Sequence, residues 1–230
     1  MLNKKAVVTG CSSGIGKAIT DRLLVEGWSV IGVCRSYVEV NDLSLRIVQA
    51  DLSDLSTHTE ICRQIQIDEK PIDAFIHAAG FMRTAPLGAL NHDDGLAMWR
   101  VHVQAAEGIA NGLLPSISDG GRIVLIGSRV ANGAPTRSQY AATKAALIGM
   151  TRSWAAELAS RGITANVIAP GATDTPFLRD PARANTQPKL PPIGRFVNVE
   201  EVAALASFLV GPHGGAMTGQ HLVMCGGSSL

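Results

Sequence analysis

The chain has 230 residues, with 20 basic and 19 acidic side chains and a formal net charge of +1. That balance excludes a strongly basic nucleic-acid module, and 46% hydrophobic with 17% charged residues excludes an intrinsically disordered chain. Aromatic residues are only 4% of the chain, which argues against an aromatic platform that stacks bases or sugars. We therefore predict a folded protein without a nucleic-acid partner.

Short apolar runs alternate with longer amphipathic segments along the whole chain. In chain order they predict strand 5–9, helix 15–26, strand 29–34, strand 44–50, helix 55–67, strand 72–78, one helix or two over 87–114, strand 122–127, helix 138–160, strand 164–169, helix 199–210 and strand 220–224. This alternation predicts an α/β domain with a parallel sheet covered on both faces. The strands are continuous Val, Ile and Ala runs, as expected when both faces are buried.

One irregular stretch, 171–198, contains five prolines. An irregular segment of this length inside a compact domain is usually functional. We therefore predict a single domain over 1–230, in which 176–198 forms a lid over the substrate.

Cysteine content and hydropathy indicate the cellular context. The four cysteines form neither a CxxC pair nor a Cys/His pattern with metal-ligand spacing, so we expect no disulfide, no metal and a reducing, cytoplasmic environment. The apolar run 6–8 is too short for the core of a signal peptide. Residues 202–230 lack Asp, Glu, Lys and Arg, but Gly and Pro residues interrupt them, so we expect no membrane partner.

A glycine-rich turn follows the first strand and leads into a helix. The turn reads Thr9-Gly10-Cys11-Ser12-Ser13-Gly14-Ile15-Gly16. Glycines let the backbone approach a diphosphate, and the helix N-terminus then offers free N–H groups. Taken alone, the turn is also compatible with an ordinary strand-to-helix connection.

The spacing TGxxxGxG resembles the nucleotide fingerprint of the short-chain dehydrogenase/reductase family. Other family motifs have counterparts in the same order: His77-Ala78-Ala79-Gly80 for NNAG, Ser128 twelve residues before Tyr140, Tyr140-Ala141-Ala142-Thr143-Lys144 for YxxxK, Pro170-Gly171 for PG, and Thr218-Gly219-Gln220 with Gly226-Gly227 at the end. The resemblance covers essentially the whole chain. It implies a single-domain Rossmann fold, with a doubly wound parallel sheet of about seven strands flanked by helices.

Tyr140 and Lys144 are four residues apart on a predicted helix, so they share a face. A tyrosine hydroxyl normally has a pKa near 10, and a nearby ammonium favours its phenolate form. The family resemblance implies that Tyr140 is the general acid/base, that Ser128 positions the substrate and that Lys144 also holds the nicotinamide ribose. It thus implies an NAD(P)-dependent oxidoreductase that interconverts a carbonyl and a secondary alcohol, with 3-oxoacyl reduction as one form.

The sequence departs from the family pattern in two places. His102 stands where the family usually has a catalytic asparagine, and it either carries the same water or proton contact or is a packed helix residue. The separation between Ser128 and Tyr140 is one residue shorter than in most members, which alters loop 129–139.

The end of the second strand indicates which cofactor binds. Cys34 stands where NAD-preferring sites carry Asp or Glu, whereas Arg35 offers a bidentate contact to a 2′-phosphate and Ser36 a further donor. Ser13 counts against this, because many NADP-using relatives have a basic residue there. We expect NADP(H) in preference to NAD(H), with NAD(H) possible and a solvated Arg35 as the alternative.

The resemblance assigns the remaining cofactor contacts. They are Gly10, Ser12, Ser13, Gly14, Ile15 and Gly16 in the turn, Asp51 and Leu52 at the adenine, Ala78, Ala79 and Gly80 after the fourth strand, Tyr140 and Lys144, and Pro170, Gly171, Thr173 and Thr175 after the sixth. Asp51 is also compatible with a helix cap.

The substrate itself, a small carbonyl or alcohol, is less well defined. Candidate pocket residues are Phe81, Met82, Arg83, Arg129, Val130, Ala131, Phe177, Leu178, Arg179 and Phe196. Arg129 with Arg83 suits a carboxylate, a phosphate or an acyl thioester. The alternative is that both arginines face solvent or pair with acids such as Asp174 and Asp180.

Helix 138–160 is apolar in most directions, which suggests that a second subunit covers part of it. We expect a homotetramer or a homodimer. A rival function is a non-catalytic nucleotide-binding regulator, but a sensor does not need Ser128, Tyr140 and Lys144 together.

Overall fold

The computed structural model describes residues 4–67, 71–179 and 189–230. Within them, seven strands form one parallel sheet: β1 (Lys5–Thr9), β2 (Ser29–Cys34), β3 (Leu45–Gln49), β4 (Ile72–His77), β5 (Ile117–Ile126), β6 (Thr164–Pro170) and β7 (His221–Met224). The spatial order is β3-β2-β1-β4-β5-β6-β7. The predicted doubly wound Rossmann architecture is therefore confirmed.

Helices cover both faces of this sheet. They are α1 (Gly14–Val25), α2 (His58–Ile65), α3 (His92–Trp99), α4 (Ala105–Leu113), α5 (Ser138–Leu158) and α6 (Val199–Val210). Helices α1 and α6 pack against each other on one face, whereas α2, α4 and α5 supply apolar side chains to the core on the other. Successive strand residues alternate between these cores: Val7 enters the α5 side, and Ala6 and Val8 enter the α1 side.

Sequence periodicity misjudged two boundaries. The predicted helix 87–114 begins only at His92, because the Asn91 side chain accepts hydrogen bonds from the backbone N–H groups of Asp93 and Asp94 and so caps α3. Its interior is π-helical over Arg100–Gln104, which joins α3 to α4. Strand β5 begins five residues earlier than predicted, with an irregularity where it pairs with β4.

The strand order places a crevice at one edge of the sheet. Strands β1 and β4 are neighbours, but the chain continues outward from β1 to β2 and from β4 to β5, in opposite directions. In sheets of this kind ligands bind beyond the carboxyl ends of the strands, where the order reverses. The residues that follow β1, β4, β5 and β6 are therefore brought together at one site.

Part of the proposed lid 176–198 lies outside the described residues, namely 180–188. The flanks of the stretch are joined: Thr173 and Val197 form a parallel bridge, and the Val197 N–H donates to the Ala172 carbonyl at 2.9 Å. None of the described helices combines the length and hydropathy that crossing a bilayer requires.

Candidate active site

A cavity of about 760 Å³ opens at the carboxyl ends of the central strands. Its wall contains every residue assigned above to the cofactor: Gly10, Ser12, Ser13, Gly14, Ile15, Gly16, Arg35, Ser36, Asp51, Leu52, Ala78, Ala79, Gly80, Tyr140, Lys144, Pro170, Gly171, Thr173 and Thr175. Of the four catalytic candidates, Ser128, Tyr140 and Lys144 also line it. His102 is fully buried behind the wall.

The glycine turn has geometry that side chains would prevent. Gly10 has φ +71°, and a Cβ atom there would lie 2.8 Å from the Cα of Ala79. A Cβ on Gly16 would lie 2.2 Å from the Gly10 carbonyl oxygen. Both obstacles are backbone atoms and cannot swing aside, so the turn depends on glycine at these positions.

The N-terminus of α1 faces this cavity. Its N-cap residue, Ser13, makes no side-chain capping hydrogen bond in the described structure, whereas Asn91 caps α3 and Asn198 caps α6. The first N–H groups of α1 are therefore available to an anion, and the helix dipole favours negative charge there. This donor set fits the diphosphate of a dinucleotide.

A buried network fixes the turn to strand β4. The His77 ring Nε2 lies 3.0 Å from the Val101 carbonyl oxygen and its Nδ1 lies 2.9 Å from Thr9 Oγ1. Since a carbonyl only accepts, Nε2 carries the proton and Nδ1 accepts from Thr9. Thr9 Oγ1 in turn accepts from the N–H groups of Ala78 and Ala79. Burial lowers the pKa of His77 to about 3, so the ring is neutral.

Tyr140 and Lys144 lie on one face of α5 and are both largely buried. The Lys144 Nζ lies 5.8 Å from the Tyr140 ring centroid and donates to the Ile126 carbonyl at 2.9 Å. Burial lowers the pKa of Lys144 to about 7. Ser128 follows strand β5, and its Oγ accepts a hydrogen bond from the Val130 N–H at 3.2 Å.

His102 lies within the π-helical segment, and both of its ring nitrogens have protein partners. Its Nε2 accepts from the Phe81 N–H at 3.1 Å, so the proton is on Nδ1, which lies 2.8 Å from Thr143 Oγ1. Thr143 Oγ1 in turn donates a hydrogen bond to the Tyr140 carbonyl at 2.8 Å. Burial, followed by the charge of Lys144, holds the pKa of His102 well below its usual value.

These contacts bear on the two interpretations left open for His102. A neutral ring with both nitrogens engaged and no cavity surface has the geometry of a packed residue that positions α5. Both ring nitrogens already have protein partners, which favours the second interpretation over a water or proton contact. A Cβ on Gly80 would lie 3.0 Å from His102 Nε2 and 3.6 Å from Lys144 Nζ, so a larger residue there would require the buried His102 ring to shift.

The opposite end of the cavity contains Arg35, Ser36 and Asp51. Arg35 and Ser36 are exposed at the rim, and the Arg35 carbonyl accepts a hydrogen bond from Gln49. The Asp51 carboxylate accepts from the Ser53 N–H and hydroxyl. Hydrogen bonding from Ser53, with a smaller contribution from the charge of Arg35, lowers the pKa of Asp51. Asp51 therefore stabilises its own turn and faces the cavity as well.

The substrate-pocket candidates divide into those that line the cavity and those that do not. Phe81, Met82, Arg129, Val130 and Leu178 line it. Ala131 and Phe196 do not, and the side chains of residues 177 and 179 lie outside the described structure. Arg83 is not among the residues that line the cavity; its guanidinium stacks over the Phe81 ring at 5.1 Å and lies 3.9 Å from the Asp94 carboxylate.

Sequence reasoning missed three polar residues of the wall: Arg137, Lys189 and Ser228. Arg137 precedes Tyr140 by three residues, nearly one helical turn, and that spacing could have identified it. Ser228 comes from the carboxyl-terminal segment, and its distance in sequence gave no indication of its place. No group of three or more His, Cys, Asp or Glu side chains in the described part of the chain is arranged to hold a metal ion.

A cavity at the carboxyl ends of a Rossmann sheet, with Ser128, Tyr140 and Lys144 on its wall, fits a nicotinamide-dependent oxidoreductase. Residues 10–229 match the family model described as enoyl-(acyl carrier protein) reductase. The 3-oxoacyl-(acyl-carrier-protein) reductase FabG of Haemophilus influenzae is 32% identical over 242 residues, covering 100% of both chains. The Salmonella typhimurium FabG is 31% identical, covering 97% of this chain and 96% of the relative.

Solved structures agree with this assignment. A blue fluorescent protein from a metagenomic library, in complex with NADPH, is 33% identical with a TM-score of 0.88, covering 99% of this chain and 98% of that one. A short-chain dehydrogenase from Burkholderia cenocepacia J2315, in complex with NADP, is 34% identical with a TM-score of 0.88 and the same coverage. The chain belongs to the short-chain dehydrogenase/reductase family, and the predicted oxidoreductase class is confirmed.

The depressed pKa of Lys144 predicts a specific pH dependence of stability. The unfolded lysine binds a proton up to about pH 10.4, whereas the folded one loses it near pH 7. Between these values the unfolded state holds more protons, so this group makes the folded state more stable as pH rises, by at most about 1.4 kcal/mol per pH unit. Below pH 7 both states hold the proton, so the full cost of burying the charged lysine lowers the free energy of unfolding.

Urea unfolding of protein prepared without nucleotide, at pH 6 to 10, measures this effect against the variant Lys144→Met. The free energy of unfolding of the wild type, minus that of Lys144→Met, should increase as pH rises above 7. Lys17→Met, which changes an exposed lysine on α1, should leave the pH profile unaltered. A difference between wild type and Lys144→Met that is constant across this range would contradict the assigned pKa.

Proposed function

We propose that this protein interconverts a carbonyl and a secondary alcohol with NADP(H), with Tyr140 as the proton donor and acceptor. The observation that carries the proposal is the shared position of Ser128, Tyr140 and Lys144 on the wall of one dinucleotide-sized cavity. NADPH supplies the hydride when it is bound. The chain's own contribution is to hold the substrate oxygen and to move one proton.

Each residue has a distinct task in this proposal. The Ser128 hydroxyl holds the substrate oxygen, and the Tyr140 hydroxyl gives that oxygen a proton during reduction or removes one during oxidation. Lys144 provides an ammonium beside the Tyr140 ring. Buried surroundings make such electrostatic and proton-transfer contributions larger than they are in water. His102 is a positioning residue that links the loop after β4 to α5 through Thr143.

Preference for NADP(H) is supported by the rim of the cavity and by the relatives. Arg35 follows the last residue of β2 and faces the cavity with Ser36, and no acidic residue ends that strand. A guanidinium at this position suits a 2′-phosphate. Two similar structures are complexes with NADPH and NADP.

The substrate class and cellular location are finer proposals. The relatives named 3-oxoacyl-(acyl-carrier-protein) reductase support a 3-oxoacyl group as one substrate to be assayed. All four cysteines are free and buried, which is consistent with a cytoplasmic location.

A homotetramer or a homodimer is supported by the outer face of α5. Ala142, Ala145, Gly149 and Ala156 are exposed there, and nothing lies within 4 Å of the position that a Gly149 Cβ would occupy. Small residues on an exposed helix face allow a second helix to approach closely. The second subunit is therefore expected to pack on α5.

Tyr140→Phe separates an enzyme from the rival, a nucleotide-binding regulator. Removal of the hydroxyl should lower kcat by at least about a hundredfold, the scale of general acid/base catalysis. NADPH binding, followed by the change in nucleotide fluorescence, should persist in the variant. Loss of NADPH absorbance against a panel of ketones, aldehydes and a 3-oxoacyl thioester gives the rates. Equal rates in variant and wild type would reject Tyr140 as the proton donor.

Arg35→Ala tests the cofactor assignment. If Arg35 binds the 2′-phosphate, the ratio of kcat/KM for NADPH to that for NADH should fall by about tenfold or more, the value of a hydrogen bond to a charged group. Arg63→Ala, which changes an exposed arginine on α2, is the matched control and should leave the ratio unchanged. A wild-type preference for NADH would refute the assignment outright.

Gly149→Arg tests the assembly. The position is open within the subunit and arginine is a good helix former, so the fold should persist, as circular dichroism would show. The bulky cation should separate subunits that meet on α5. Light scattering at micromolar concentration should give a dimer or tetramer for the wild type and a smaller particle for the variant. A monomeric wild type would contradict the proposed assembly.

A further inference from the structure

Two arginines approach the cavity at its catalytic end. Arg129 follows Ser128 directly and begins the short helical turn Arg129–Asn132, whereas Arg137 is the residue that precedes α5. Both line the cavity that contains Ser128 and Tyr140. Burial and then the charge of Arg129 lower the pKa of Arg137, whereas Tyr140 raises it, which is consistent with all three groups lying at one end of the cavity.

Within the described residues, neither guanidinium forms an ion pair with a carboxylate. Arg129 Nη1 donates to the Ser228 carbonyl at 3.3 Å, and Arg137 Nε is buried with no hydrogen-bond partner. Exposed arginines elsewhere form ion pairs, as Arg63 does with Glu60. An unsatisfied buried donor costs about 1–3 kcal/mol, so Arg137 favours a partner that the described part of the chain does not supply.

The described wall of the cavity carries more positively than negatively charged side chains. Among its described residues the cations are Arg35, Arg129, Arg137, Lys144 and Lys189. The one carboxylate on the described wall is that of Asp51, which lies beside Arg35 at the far end of the cavity. The catalytic end therefore attracts negative charge.

The backbone before Arg137 is held in a costly conformation. Thr136 has φ +64°, in the left-handed region that β-branched residues avoid. Its carbonyl accepts from the Ala85 N–H at 2.9 Å, which ties loop 129–139 to the segment after β4. Backbone strain of this kind persists where the surrounding structure fixes it, often at ligand sites. Here the fixed backbone at Thr136 determines the position of the Arg137 Cα atom.

We propose that Arg137, assisted by Arg129, binds an acidic group of the substrate, either a carboxylate or a phosphate ester, and so selects small acidic carbonyl compounds. The planar guanidinium offers paired donors that match both groups. Arg129 adjoins Ser128 and Arg137 precedes Tyr140 by three residues, so the acidic group should lie at the same end of the cavity as the reacting carbonyl. The inference rests on the carbonyl reduction proposed above and adds a substrate class to it.

The test compares acidic carbonyl compounds with neutral partners of the same shape. The carboxylate arm uses 2-oxobutanoate, acetoacetate and 4-oxopentanoate, each beside its methyl ester. The phosphate arm uses dihydroxyacetone phosphate beside dihydroxyacetone. With NADPH, at least one wild-type acid-to-neutral ratio of kcat/KM should reach about tenfold or more, the size of a charge-assisted contact. The arm in which it appears identifies the acidic group.

Arg137→Gln should lower that ratio by about tenfold or more, mainly by raising KM for the acidic compounds. Arg137→Lys should restore part of the ratio, because lysine returns the positive charge but not the paired donors of the guanidinium. Arg63→Gln, an exposed change on α2, should leave it unchanged. Neutral compounds that react as well as the acids in the wild type, or an unaltered ratio in Arg137→Gln, would overturn the inference while leaving carbonyl reduction intact.

If no carbonyl compound of either kind is reduced, the proposed function fails instead. The subsite is then tested by calorimetric titration of 4-oxopentanoate and of dihydroxyacetone phosphate into protein saturated with NADPH. Binding that Arg137→Gln abolishes supports the subsite. Absence of binding to the wild type, or equal binding to both proteins, overturns it.

Discussion

The burial of one ammonium group beside one phenol ring is the constraint on which the site depends. Lys144 is enclosed by protein, its pKa falls to about 7, and a carbonyl at the end of β5 accepts its hydrogen bond. Enclosure costs free energy that hydrophobic burial elsewhere must offset. The Lys144 charge lies 5.8 Å from the Tyr140 ring centroid, in surroundings that screen it less than bulk water would.

Two neutral histidines, buried on the protein side of the cavity wall, stabilise this arrangement. His77 links β1 to the π-helical segment, and His102 links that segment to α5 and to the loop after β4. In each ring one nitrogen donates and the other accepts, so both are satisfied only while uncharged. Burial keeps them uncharged. The two rings stand at positions where the family resemblance led us to expect asparagine, and they still satisfy the neighbouring backbone groups.

Much of the fold and site could be predicted because the patterns involved are local. Continuous apolar runs identified all seven strands, and the glycine turn and the Tyr140–Lys144 spacing follow from backbone geometry over a few residues. Features that depend on contacts between several elements could not be predicted from the sequence. The start of α3 depends on the cap at Asn91, and the π-helical turn around His102 reflects tertiary contacts. Arg83 and Arg137 look alike in sequence, but only packing decides which one reaches the cavity.

A lysine that titrates near neutrality couples the occupancy of the cavity to the solvent proton concentration. The negative charge that a nucleotide brings into the cavity would favour the ammonium form of Lys144, and a complex formed at mildly alkaline pH would then take up a proton from the medium. The heat of association then includes the ionisation enthalpy of the buffer, and affinity weakens as the solution becomes more basic. Through Lys144, a rise in pH would thus have opposing effects: it would stabilise the fold without coenzyme and weaken coenzyme binding.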